Sequence, residues 1–213
     1  MSTASQELII AMGHVPLMLR LTPTMALTDD QLLELSALNS NLRLERNSQG
    51  ELVIMPPAGG DSADQEAEII TQLRNWSKKD GSGKVFSSSA GFRLPDTAIL
   101  APDASWVSYV QLNKLSPEER RSFLPLCPEF FVEVRSLSER LKSLQAKMQE
   151  YIDNGAQLGL LIDPDPRRVY VYRPNQPVEM LENCESFSCD PILPGFELQL
   201  GEVWRPFEKR TKR

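Results

Sequence analysis

Two acidic residues lie in stretches of the sequence that otherwise look like buried strands. Asp103 lies in the run 101–107, and Glu133 is enclosed by the apolar run 130–134. Both runs are rich in aromatic or β-branched residues, which favour strands. A carboxylate in such a run loses water and gains no apolar packing, at a cost on the order of several kcal/mol unless a partner offsets it. A divalent cation shared by the two carboxylates would do so, and the pair therefore predicts a site for a hard metal ion.

Composition limits the class of protein in which such a site can lie. A chain of 213 residues with 41% hydrophobic residues can bury the core of a single large domain. It has no apolar stretch of about 18 residues, the length of a membrane helix. The first residues do not have the pattern of a secretory signal, and three cysteines give no paired spacing. We therefore expect a cytoplasmic protein that has reduced thiols and no membrane contact.

The single histidine and the net charge remove several kinds of site. Zinc sites built on several histidines need more than His14, which lies in the apolar leader 8–21 and is expected to be structural or exposed. Cys184 and Cys189 are too few and wrongly spaced for zinc, and no phosphate-binding glycine loop is present. The net charge of −6 does not favour phosphate binding over the whole surface, although it leaves room for a local basic groove.

The order of the predicted elements indicates one α/β domain. A capping box at 28–31 predicts a short helix through Leu38, and the turn 47–50 predicts a hairpin between strands 42–46 and 51–55. Two long helices are expected, one capped by Asp61 or Ser62 and ending near residue 79, the other running from Ser138 to Gly155. The remaining predicted strands are 84–87, 91–94, 101–107, 129–135, 158–163, 168–173, 178–181 and 196–200. We expect an N-terminal extension over 1–27, the domain over 28–201 and a basic tail over 202–213.

The second long helix contributes a lysine to the predicted site. Its apolar stripe consists of Leu141, Leu144, Met148 and Tyr151, and Lys147 lies at the edge of this stripe. Two carboxylates, a cation and a lysine in reach form a site for phosphoryl transfer. The metal polarises the phosphate and lowers the pKa of a bound water, while the lysine holds that water or stabilises developing charge. The alternative is that Lys147 only extends along the edge of the core.

An ordered series of short motifs resembles the PD-(D/E)xK nuclease superfamily, and more closely its Uma-type restriction endonuclease family. Each motif alone is unspecific, but their order over about 28–200 is specific. The motifs are Glu51–Met55 with Pro57 and Gly59-Gly60, Gly91–Pro95, Pro102-Asp103-Ala104, Phe131–Ser136, Leu144–Tyr151, Asn154-Gly155, Leu160–Pro164, Val171–Pro174 and Leu193–Phe196.

The resemblance implies a restriction-endonuclease-like α/β fold, with a central mixed β-sheet flanked by helices. It implies that Asp103 and Glu133 bind Mg²⁺, or Mn²⁺ as a substitute, that Lys147 assists the attacking water, and that DNA is the substrate. Members of the superfamily often add an acid from the helix before the sheet, and Glu66 is the candidate here. A solvated role for Glu66 remains open. A homodimer is expected, because cutting two strands is convenient with two sites.

Arg135 departs from the superfamily pattern, which has lysine at this position. An arginine stays protonated and does not easily replace lysine in activating water. The Uma-type pattern instead has its lysine on the following helix, which fits Lys147. By strand alternation Arg135 is expected to pair with Glu133 or with a phosphate, and a tight pair with Glu133 would make the site structural. Two functions therefore remain: a Mg²⁺-dependent endonuclease, or a non-catalytic nucleic-acid-binding or assembly protein that retains the nuclease fold.

Overall fold

The computed structural model describes residues 16–20, 27–55, 57–137 and 139–205. Its strands are β1 Leu17–Leu19, β2 Arg43–Arg46, β3 Leu52–Met55, β4 Gly83–Ser87, β5 Phe92–Arg93, β6 Ile99–Leu100, β7 Ala104–Ser108, β8 Phe130–Val134, β9 Leu158–Asp163, β10 Arg168–Tyr172, β11 Glu179–Glu182, β12 Ser186–Ser188 and β13 Glu197–Gln199. Its helices are α1 Asp29–Leu38, α2 Gly60–Asp80, α3 Tyr109–Leu112, α4 Leu141–Asp153 and α5 Leu200–Val203, with a 3-10 turn at Glu119–Arg121. No helix within the described ranges has the length and apolarity needed to cross a membrane.

A six-stranded mixed sheet lies at the centre, in the order β11-β10-β9-β8-β7-β4. Strands β8 and β9 are parallel, and the other neighbours in this sheet are antiparallel. A parallel pair needs a crossover connection, and α4 provides it between β8 and β9. A central mixed sheet flanked by helices is the predicted fold class, which is confirmed.

Strand β8 separates the two sides of the core by simple alternation. Phe130, Val132 and Val134 belong to the hydrophobic cluster that contains the buried residues of α2. Phe131 belongs to the cluster of α4, where its ring centroid lies 4.2 Å from that of Tyr151. Since side chains two positions apart share a face of a strand, Glu133 points to the same side as Phe131, towards α4.

A second sheet has the order β1-β3-β2-β6-β5, and β4 of the central sheet lies between its strands β3 and β5 in the chain. The predicted hairpin is confirmed: β2 pairs with β3 in antiparallel register, and the turn closes at Gly50, whose φ of 78° suits glycine. Strand β6 pairs with β2 through Ile99 and Arg46. The chain then runs directly from β6 to Asp103, so this pairing carries Asp103 close to β2.

Several boundaries differ from the sequence prediction. The capping box of α1 is confirmed, with Thr28 and Gln31 exchanging side chain–backbone hydrogen bonds. The predicted cap of α2 was wrong, because the helix begins at Gly60 with Gly59 at its N-cap; Asp61 lies in the first turn, where its charge suits the positive end of the helix dipole. Helix α4 begins only at Leu141. The predicted cap Ser138, like His14 and the tail beyond 205, lies outside the described residues.

Short strands account for most of what the sequence reading missed. β1, β6 and β12 each have two or three residues, too few for an alternation pattern to identify. β1 lies within the segment expected to be an extension, yet it pairs with β3 from Leu17 to Leu19. The three cysteines are free thiols, as expected.

Candidate active site

Glu133 and Lys147 form a direct contact between the central sheet and α4. Glu133 is 2% exposed on β8, and its Oε1 lies 2.8 Å from Nζ of Lys147. The lysine stands at the edge of the buried stripe of α4, and its ammonium also lies 2.8 Å from Oε1 of Glu45 on β2. The Lys147 ammonium therefore bridges one carboxylate from each of the two sheets.

Asp103 has both carboxylate oxygens occupied. It lies one residue before β7, not within the strand as the sequence suggested, and it is 3% exposed. Its Oδ2 accepts a hydrogen bond of 2.8 Å from the backbone N–H of Val134 on β8. Its Oδ1 lies 2.7 Å from Nη1 of Arg43 on β2. Asp103 is thus fixed to the central sheet by one oxygen and to the second sheet by the other.

Arg43 and Glu45 are the residues of this site that the sequence reading missed. They are two positions apart on β2 and share a face, on which Arg43 contacts Asp103 and Glu45 contacts Lys147. Glu45 is 3% exposed, and its Oε1 also accepts a hydrogen bond of 2.9 Å from the N–H of Ala101. In the sequence, only their opposite charges could have pointed to a role in the site. Such charges on a hairpin strand usually face water, so they were not selected.

Glu66 lies close enough to Asp103 and Arg43 for their charges to affect its titration. It is half-buried on α2 and lines a cleft of about 740 Å³ together with both of them; we call this the Asp103 cleft. Burial, reinforced by the charge of Asp103, raises the pKa of Glu66 to about 7. Its carboxyl can therefore both hold and release a proton near neutral pH.

The predicted site residues are distributed over two neighbouring cavities. Lys147 and Glu45 line a second cavity of about 970 Å³, the Lys147 cavity, which borders the Asp103 cleft at Met55 and Glu139. Glu133 is not among the described residues that line either cavity. It connects to the Lys147 cavity through its contact with Lys147. The structure therefore brings Glu133 and Lys147 into contact, while Asp103 and Glu66 approach the same centre from the other cavity.

The pKa values of Glu133 and Lys147 are shifted by burial and by the neighbouring carboxylates. Loss of water raises the pKa of Glu133 to about 8, since the attraction of Lys147 offsets it only in part and Asp103 and Glu45 add repulsion. Burial alone would lower the pKa of Lys147, but Glu133 and Glu45 raise it above its ordinary value, so the lysine stays charged. We call the six groups the charge cluster: Arg43, Glu45, Glu66, Asp103, Glu133 and Lys147. Fully ionised, its four carboxylates outnumber its two cations by two charges.

The donor atoms of the charge cluster fit a hard divalent cation. Oε1 of Glu133 is buried, and the Lys147 ammonium lies 2.8 Å from it. In the described ranges no three acidic, histidine or cysteine side chains are already gathered to hold a metal ion. Mg²⁺ is commonly held by one or two carboxylates with water completing its shell, which is what Asp103 and Glu133 could offer.

Arg135 does not pair with Glu133, which was one of the two roles expected from the sequence. Its guanidinium binds both carboxylate oxygens of Asp163, at 3.0 and 3.1 Å, and its Nε donates to the backbone oxygen of Glu139. The parallel pairing of β8 with β9 explains this partner, because it places Asp163, the last residue of β9, beside the end of β8. An Arg135–Glu133 pair, which would have made the site structural, is therefore not formed.

Comparison of the chain with known proteins identifies its family. The profile of the Uma2 family, described as putative restriction endonuclease, matches residues 29–201. No curated protein matches the chain. Among solved structures, a putative nuclease belonging to DUF820 from Anabaena variabilis is 21% identical, with a TM-score of 0.64 over 76% of this chain and 90% of the other. At that identity the likeness concerns the fold alone, whereas the profile covers most of the sequence. The chain therefore belongs to the Uma2 family of putative restriction endonucleases.

Proposed function

We propose that this protein is a Mg²⁺-dependent endonuclease that hydrolyses phosphodiester bonds in DNA, with Mn²⁺ able to replace Mg²⁺. The observation that carries the proposal is the buried contact between Glu133 and Lys147, in the same charge cluster as Asp103. A packed core gains little from two buried acids and a lysine, because desolvating them costs several kcal/mol. Metal-dependent phosphoryl transfer requires acidic metal ligands and a lysine near the reacting phosphate, which explains why these groups are buried together.

Each residue of the charge cluster can be given a role in the reaction. Asp103 and Glu133 would hold the metal, which when bound lowers the pKa of a water and polarises the phosphate. Lys147 would orient the attacking water by donating a hydrogen bond to it, or stabilise negative charge on the phosphate. Glu66 would pass a proton to or from the reacting oxygens, since its pKa lies near neutral pH. A homodimer would provide one such site for each strand of a duplex.

A second function is favoured by one specific contact. Arg43 contacts Oδ1 of Asp103 at 2.7 Å, and a permanent ion pair there would oppose the binding of a metal ion by Asp103. A protein with that pair locked would retain the fold and its basic side chains without catalysis. It would then act as a nucleic-acid-binding or assembly protein.

The decisive experiment is a nuclease assay on purified protein with Lys147→Ala and a matched control. Wild type is expected to nick or cut DNA with Mg²⁺ or Mn²⁺ and to stop with EDTA, and Lys147→Ala is expected to lose the activity. Lys142→Ala, on the exposed side of the same helix, is the control and is expected to cut like wild type. Circular dichroism checks that both variants are folded. Glu133 can take up a proton when its partner is removed, which limits the damage to the fold.

Equal residual cutting by wild type and Lys147→Ala across many DNA substrates would identify the activity as contamination. The non-catalytic function would then replace the endonuclease. Binding of DNA without cutting, measured by fluorescence anisotropy, would support that second function directly.

A further inference from the structure

Arg43 is the counter-ion of Asp103, on the carboxylate oxygen that the central sheet does not hold. The other oxygen, Oδ2, is held by the backbone N–H of Val134, and a backbone group of a buried central strand cannot move away. Oδ1 is held by a side chain, at 2.7 Å. A divalent ion bound at Oδ1 would lie beside the Arg43 guanidinium, and repulsion between the two cations would favour displacement of Arg43.

The surroundings of Arg43 allow such a displacement. Its side chain is 27% exposed and lines the Asp103 cleft, so the guanidinium has space and water in front of it. Its other recorded hydrogen bond, from Nη2 to the thioether sulfur of Met55 at 3.5 Å, is a weak one. The strong attachment of Arg43 is therefore the same carboxylate for which the metal competes.

We propose that Arg43 exchanges partners during the reaction: it is the counter-ion of Asp103 in the metal-free protein and becomes a ligand of the substrate phosphate once a divalent ion takes Asp103. This inference rests on the proposed function. An arginine released into the cleft needs a new anion, and the planar guanidinium matches two oxygens of a phosphodiester. In this way metal binding prepares the cleft for the nucleic acid, and a protein without metal keeps its phosphate-binding arginine engaged.

A second arginine of the same chain provides a matched comparison. The pair Arg135–Asp163 has side-chain exposures of 28% and 4%, against 27% and 4% for Arg43–Asp103. Arg135 is fixed by both oxygens of its carboxylate and by the backbone of Glu139. It is therefore equally buried but has no reason to move when metal is added.

The exchange can be observed in the full-length protein by NMR of its arginine side chains. Arginine labelled with ¹⁵N gives one Nε–Hε resonance for each ordered side chain, and Arg43→Lys and Arg135→Lys identify the two of interest. Mg²⁺ is expected to move the Arg43 resonance and leave that of Arg135 in place. Dimethyl phosphate, added with Mg²⁺ present, should move the Arg43 resonance again, whereas uncharged trimethyl phosphate should not.

Metal affinity measured by calorimetry gives a second readout that does not depend on catalysis. Arg43→Met retains much of the apolar stem and is expected to bind Mn²⁺ about tenfold more tightly than wild type, a common size for coupling between two ligands. Arg135→Lys, which keeps its charge, should change the affinity by less than about twofold. Equal Mn²⁺ affinity in wild type and Arg43→Met, with an unmoved Arg43 resonance, would overturn the exchange and leave the metal site standing. If neither protein binds Mn²⁺, the proposed function and this inference both fail.

Discussion

At the scale of single residues, the position of Glu133 follows from two periodicities that the sequence already contains. Alternation along β8 turns Glu133 to the face of Phe131, and the spacing of the stripe on α4 leaves Lys147 at its edge. The two side chains meet because α4 packs on that face of the sheet. A contact between residues 14 positions apart could therefore be predicted without knowledge of the rest of the fold.

Glu66 should make the stability of the protein depend on pH. Its pKa is about 7 in the folded protein and ordinary, near 4.5, in the unfolded chain, so the unfolded state ionises first as pH rises. The stability that the neutral carboxyl contributes is complete below pH 4.5 and is lost as pH rises towards 7. Glu66→Gln removes this loss. We expect it to unfold like wild type at pH 4.5 and to be more stable by about 1 kcal/mol at pH 8, after allowing for partial exposure to solvent.

Urea unfolding of Glu66→Gln at both pH values tests this expectation. Asp64→Asn is the matched control, because it removes a negative charge from the exposed side of the same helix. A difference between wild type and Glu66→Gln that is the same at both pH values would contradict a raised pKa for Glu66.

At the scale of elements, β2 is the part of the site that could not be read from the sequence. Arg43 and Glu45 act only because their face of β2 lies against Asp103 and Lys147, and no local pattern states that a hairpin strand will be covered in this way. Asp103, Glu133 and Lys147 could be found because each stands out in a buried element. The partner of Arg135 was missed for the same reason as β2: it depends on which strand lies beside β8.

Gly159 on β9 should be indispensable to the packing of α4 on the sheet. It faces Phe131 across the parallel pair, and a Cβ at this position would lie 2.4 Å from Cζ of Phe131, whose ring is already held against Tyr151. We expect Gly159→Ala to lower the free energy of unfolding by about 1–3 kcal/mol, the usual cost of overpacking a core.

Chemical denaturation measures this loss, with Gly59→Ala as the control. Gly59 precedes α2 with an ordinary φ of −68°, and a Cβ there would meet nothing within 4 Å. The account of the packing would be wrong if Gly159→Ala were as stable as wild type.

At the scale of the whole molecule, the charge cluster joins the two sheets. Burial raises the pKa values of Glu66 and Glu133, and full ionisation of the charge cluster would leave a surplus of two negative charges, which raises them further and which a divalent ion would balance. Mg²⁺ or Mn²⁺ is therefore expected to raise the melting temperature of wild type, because it binds the folded chain and not the unfolded one. About 100 Kd of free metal corresponds to roughly 2.7 kcal/mol of added stability.

Asp103→Asn should lose most of this metal effect, because an amide is a poorer ligand than a carboxylate. Differential scanning fluorimetry with and without metal compares the two proteins directly. Equal stabilisation of wild type and Asp103→Asn would show that the metal binds elsewhere on the surface.

The two ion pairs that join the sheets also govern when the site can come into existence. Arg43 and Asp103 are 60 positions apart in the chain, and Glu45 and Lys147 are 102 apart. Such long loops close late in folding, because their entropy must be lost before the contact forms. A nascent chain whose α4 is still inside the ribosome already contains the hairpin, Asp103 and Glu133 but lacks the contacts of Lys147. The complete charge cluster therefore exists only after α4 has been synthesised and has packed on the sheet.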